Sequence, residues 1–189
     1  MPTRSLVLGA QGVTRNHLLQ ALLPINEKVH VITMQDYADY KSILTTCALA
    51  IKPETKVLVF DGLDKELTGT HQELVALYNL VSFAGSWWGY QLDRIIYVSS
   101  NFDVFRCLEI HEAKARFVFD HVYIPKSEEN KKYLAGYQSF VRRRMNELST
   151  QAFRSFERGL ANTVLCMDDS FKGTLTVFNV LEVCRLFKV

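Results

Sequence analysis

The segment Ser5 to Leu23 constrains the fold more than any other part of the chain. Ser5-Leu6-Val7-Leu8 reads as a short apolar strand, Gly9-Ala10-Gln11-Gly12 as a glycine turn, and Val13 to Leu23 as a helix stopped by Pro24. A strand that runs through glycines into a helix leaves backbone N–H groups converging on one point, with the positive end of the helix dipole behind them. That arrangement seats a phosphate. Gly9 permits the tight turn, and Gly12 lets a pyrophosphate approach the backbone. A third glycine is expected three residues after Gly12, where helix and strand pack closest, but that residue is Arg15. A side chain there either forces helix and sheet apart or swings toward the phosphates, and Arg4 is a second candidate phosphate contact.

The remaining chain repeats strand and helix. Lys28 to Thr33 is rich in β-branched residues and reads as a strand. Asp36 follows as a cap for a helix through about Ile51, and Lys52-Pro53-Glu54-Thr55 is a turn. Lys56 to Phe60 and Arg94 to Ser100 are continuous apolar runs, as expected of strands buried on both faces of a parallel sheet. Between them, Leu74, Leu77, Tyr78 and Val81 give helical periodicity over His71 to Phe83. A short helix is expected near Glu109 to Phe117, and an extended piece at Val122-Tyr123-Ile124. A long helix spans about Glu128 to Arg158, with Tyr137, Val141, Met145, Leu148, Ala152 and Phe156 as its apolar stripe. Asn162 to Met167 reads as a strand and Val180 to Phe187 as a closing helix. This alternation predicts an α/β domain, residues 1–189, with a mostly parallel sheet covered by helices on both faces.

Composition excludes several function classes. A formal charge of +2 is too small to argue for nucleic acid or an acidic membrane surface. The apolar runs fall short of the roughly 20 residues a membrane span needs. The opening Met-Pro-Thr-Arg-Ser lacks a signal-peptide pattern, and the four cysteines form no CxxC pair, so a reduced cytoplasmic compartment is expected. The five histidines have no metal-binding spacing, and no metal is expected. Arg142-Arg143-Arg144 point about 100° apart on a helix and read as a solvated face. Trp87 and Trp88, with Phe83 and Tyr90, read as a plug at the sheet edge.

Four stretches, in order, resemble the short-chain dehydrogenase/reductase family, in particular its extended and atypical branches. Gly9 to Leu18 is similar to the family's G-A-T-G-F-I-G-x-H-L opening, and Arg94 to Ser100 to its fifth strand, R-F-V-Y-V-S-S. Tyr133-Leu134-Ala135-Gly136-Tyr137 stands in the place of its Tyr-x-x-x-Lys motif, and Asn162 to Gly173 resembles its sixth strand and following loop. The resemblance implies a Rossmann-like three-layer fold with a trimmed sheet. It implies NAD or NADP held by Gly9, Gln11, Gly12, Val13, Arg15 and Thr33, and chemistry at Tyr133 with Ser100 or Asn101.

The departures fall on the chemistry. Tyr137 replaces the lysine whose charge makes phenolate available, and a phenol titrates near 10 when unperturbed. Thr33-Met34-Gln35 lacks the acidic residue that would bind the adenosine ribose. The expected function is therefore that of a degenerate relative without redox catalysis, acting by protein binding or scaffolding with a retained nucleotide or none. Its expected partner is another protein or a second copy, through the 128–158 helix. The alternative is a working NAD(P)-dependent oxidoreductase using Tyr133.

A second resemblance covers the first half of the chain. Gly9 to Asn16 overlays the G-x-x-x-x-G-K-[ST] phosphate loop, with Arg15 for the lysine, Asn16 for Ser/Thr and Thr14 for the second motif glycine. Val57 to Asp61, followed by Asp64, then stands as the metal-binding strand, and Asn101 as a sensor of the γ-phosphate. This is similar to the core of hexameric viral helicases and implies a degenerate nucleoside triphosphatase.

Overall fold

The computed structural model describes residues 2–23, 28–34, 42–43, 51–65, 92–101, 119–125, 131–147, 164–166 and 177–179, with positions 72, 75–77, 80 and 104. Within them run strands β1 (Thr3–Leu8), β2 (Val29–Thr33), β3 (Val57–Asp61), β4 (Arg94–Ser99), β5 (His121–Tyr123), β6 (Val164–Cys166) and β7 (Val177–Asn179). Two helices carry full boundaries, α1 (Val13–Leu22) and α2 (Lys131–Glu147). The expected helix over 109–117, the closing helix over 180–187 and the Trp87–Trp88 cluster lie outside the described residues, as does most of the 36–51 helix.

Five strands form one wholly parallel sheet in the order β2-β3-β4-β1-β5. This is the α/β architecture expected from alternation. Strands β1, β3 and β4 are buried on both faces, which is why they read as unbroken apolar runs. On one face Val7, Val57, Val59, Ile96 and Val98 pack against Leu18, Leu19 and Leu22 of α1. On the other, Phe60 stacks on Tyr97 at 5.3 Å between centroids, and Phe119 meets Tyr97 edge-on at 5.7 Å. The Tyr97 hydroxyl donates to the carbonyl of helical Leu80 on that second face.

The strand order has a consequence for the first crossover. In the doubly wound dinucleotide order the first strand lies between the second and fourth. Here β1 lies between β4 and β5, and α1 passes across β4 and β3 to reach β2 at the edge. Connections running in opposite directions along a parallel sheet cover opposite faces, because each crossover is right-handed. The β1–β2 connection therefore covers one face and the β3–β4 connection the other. They leave the carboxyl ends of β1 and β3, the two strands that flank β4, and open α/β sheets bind ligands at the carboxyl ends of their strands.

Helix α1 ends where its last carbonyls find a donor: Arg94 Nη1 donates to the Leu22 carbonyl at 2.9 Å. Strand β7, absent from the sequence expectation, pairs antiparallel with β6 as a separate two-stranded sheet. Among the described residues, no helix is long and apolar enough to cross a membrane.

Candidate functional site

The glycine turn lies at the carboxyl end of β1. Gly12 caps α1 with φ 155° and ψ −173°, a backbone geometry L side chains rarely adopt, and a Cβ there would meet nothing within 4 Å. Glycine is thus required for conformation and leaves open space in front of the helix. No side chain caps α1, and its first turn carries no acidic residue. The N-terminal N–H groups and the dipole consequently face an uncompensated region.

That region is a cavity of about 280 Å³. Gln11, Gly12, Arg15 and Asn16 form one wall, and Thr33, Asp61, Gly62 and Asp64 the other. Its volume falls just below the range of ligand pockets, which begins at about 300 Å³. It suits the phosphate end of a nucleotide better than a whole dinucleotide.

Arg15 neither wedges helix from sheet nor projects into solvent. Its side chain is 5% exposed and turns back under the loop. Nη1 donates to the Gly9 carbonyl at 3.1 Å and to Asp64 Oδ1 at 2.8 Å, while Nη2 donates to Asp64 Oδ2 at 3.1 Å. The two-pronged geometry is one that arginine, and not lysine, provides. Asp64 also accepts from Gln11 Nε2 and, at 2.7 Å, from the Ser100 backbone N–H. Burial pushes the Asp64 carboxyl upward, but hydrogen bonds from Arg15, Gln11 and Ser100, with the Arg15 charge, outweigh it and hold the group below the usual aspartate value.

The candidate site residues separate into groups. Gln11, Gly12, Arg15 and Thr33 come together around the cavity, and Gly9 contributes a carbonyl to Arg15. Val13 is 68% exposed at the helix start and does not line the cavity. Ser100 acts through its backbone, while Asn101 Nδ2 donates to the Lys65 carbonyl at 2.7 Å. Tyr133 and Tyr137 are 4% and 1% exposed within α2 and do not line the cavity. Arg4 lies in the first half of β1, away from the carboxyl ends; its backbone N–H donates to the Asp120 carboxylate and its carbonyl accepts the Asp120 N–H. It is therefore not a phosphate contact of this cavity.

Asp64 is the residue the dehydrogenase resemblance passed over and the phosphate-loop resemblance picked out. Gly62, not singled out in the sequence, shares its position: φ is 92°, and a Cβ would stand 3.3 Å from Asp64 Oδ2. The Asp61-Gly62 pair directly after an apolar strand was its only signal. Among the described residues, no group of three or more His, Cys, Asp or Glu could hold a metal ion. Comparison with family models found no match, and neither the curated proteins nor the solved structures gave one.

Proposed function

We propose that this chain is a nucleotide-binding domain that receives the phosphate end of its ligand at the Gly9–Arg15 loop and does not catalyse hydride transfer. The observation that carries the reading is convergence. The glycine loop after β1, the Asp61–Asp64 segment after β3 and Ser100-Asn101 after β4 meet at the carboxyl ends of neighbouring strands. On this reading Gly12 and the amides that follow it receive phosphate oxygens, and Arg15 supplies the cation.

The phosphate-loop resemblance assigns roles to Arg15, Asp64 and Asn101 together, and these three stand on the segments that converge. The dehydrogenase reading asks for β2 beside β1 and for Tyr133 facing an open cleft. Here β2 is separated from β1 by β3 and β4, and Tyr133 is buried. Arg15 for lysine and Asn16 for Ser/Thr weaken phosphate and magnesium contacts, so binding without efficient hydrolysis is the expected behaviour. Action through a protein partner belongs to the same proposal. The 128–158 stripe offers less for it than its sequence implies, since Tyr137 packs within its own chain.

Thermal melting with ATP, pyrophosphate, NADH and NADPH tests the reading. At 100 times its dissociation constant a ligand that binds only the folded state stabilises by about 2.7 kcal/mol. ATP and pyrophosphate are expected to raise the melting temperature, and Arg15→Ala to abolish the rise. A rise with NADPH alone, or with no ligand, overturns it.

A further inference from the structure

Asp64 receives the hydrogen-bond set that a bound phosphate would want. Two guanidinium N–H groups, the Gln11 amide and a backbone N–H all converge on one carboxylate. Arg15 and Gln11 belong to the glycine loop and the helix it opens, the elements placed to recognise an anion. Asp64 belongs to a different segment, 49 residues further along the chain from Arg15. The chain thus brings its own anion to its anion-binding side chains.

Two further features define how the carboxylate sits on the guanidinium. Gly62 lets the carboxylate approach: its φ of 92° and the 3.3 Å clearance from Asp64 Oδ2 leave no room for a side chain without pressing on the carboxylate. In addition, Arg15 Nε is buried without an acceptor, although the side chain is 95% enclosed. Asp64 therefore satisfies the outer end of the guanidinium and leaves its buried Nε–H unanswered, so the carboxylate is an incomplete partner for Arg15.

We infer that Asp64 is a tethered stand-in for phosphate, and that the ligand enters by displacing it from Arg15 and Gln11. This rests on the nucleotide-binding reading above and adds a means of regulating it. Displacement frees the Asp64 carboxylate and withdraws its bond from the Ser100 N–H. Occupancy of the glycine loop is thereby communicated to the end of β4. No bond is made or broken covalently, and the charge on Arg15 stays paired throughout.

Titration calorimetry of the full chain with pyrophosphate, without divalent metal, tests this. Asp64→Asn removes the competing charge and keeps the donors, so pyrophosphate is expected to bind at least ten-fold more tightly than to the native chain. Should that variant fail to fold, Asp64→Ser, which removes the charge and keeps a small acceptor, is expected to tighten binding in the same direction. In the native chain, pyrophosphate is expected to speed hydrogen exchange at the Ser100 amide. Equal or weaker binding by both variants overturns the stand-in role while leaving the groove a phosphate site. Binding that survives Arg15→Ala undiminished overturns the nucleotide reading as well, as does no binding by any form.

Discussion

Ser99 Oγ donates to the carbonyl of Leu63 at 2.6 Å, and both residues are fully buried. The same oxygen accepts the Asn101 N–H at 2.9 Å, so one hydroxyl fixes the turn after β4 to the turn after β3. Leu63 N–H in turn donates to the Val98 carbonyl at 2.8 Å. These bonds set where Asp64 and Ser100 lie, although neither Ser99 nor Leu63 lines the cavity.

Ser99→Ala leaves a buried carbonyl and a partly buried N–H without their partner. An unsatisfied buried group costs about 1–3 kcal/mol, so the urea midpoint is expected to fall by that equivalent with little change in slope. Ser99→Thr, which keeps the hydroxyl, is expected to recover part of the loss.

The Arg15–Asp64 pair makes a sharper stability prediction. Removing one partner of a fully buried pair costs about 3–5 kcal/mol, and Asp64, partly exposed on the cavity wall, puts this pair at or below the lower end, whereas replacing both with apolar residues is often near neutral. Arg15→Leu is expected to destabilise strongly, and the Arg15→Leu, Asp64→Leu double variant to recover most of that loss. Additive losses in a double-mutant cycle contradict the pairing. Phosphate binding is expected to be absent from both.

Acid dependence follows from the same carboxylate. Asp64 titrates below its unfolded value, so its contribution is present in full above about pH 4 and lost as the pH falls through the lower folded value. Asp64→Asn is expected to flatten the stability profile in that window, as read by urea melts between pH 2 and pH 5.

His121 contributes in a different window. Burial, with a smaller effect from the Arg94 charge, lowers its pKa against the opposing pull of Asp120. The unfolded chain then takes up the proton first, so stability is expected to decline as the pH falls below about 6.5, down to the folded value. His121→Phe keeps the ring beside Tyr123, which lies 6.1 Å away between centroids, and is expected to remove that slope.

The sheet was legible because both of its faces are buried. Val57 to Phe60 and Ile95 to Val98 are unbroken apolar runs that admit few other readings. Which strand neighbours which was not legible, for the same reason: Val7, Val59 and Val98 are interchangeable in pattern, and only the crossovers order them. Strand β7 escaped because Val177-Phe178-Asn179 runs directly into the apolar residues from Val180 that read as a closing helix. Arg15 was visible as a break in a glycine pattern. Its turn toward Asp64 was not, since no local rule links residues so far apart in sequence.

The most direct measurement is a pyrophosphate titration of the isotopically labelled chain followed through its backbone amide signals. Saturable shifts are expected at Gly12, Val13 and Ser100, with a coupled shift of the Arg15 guanidinium. Signals at these positions that stay fixed while others move, or while none do, contradict the account.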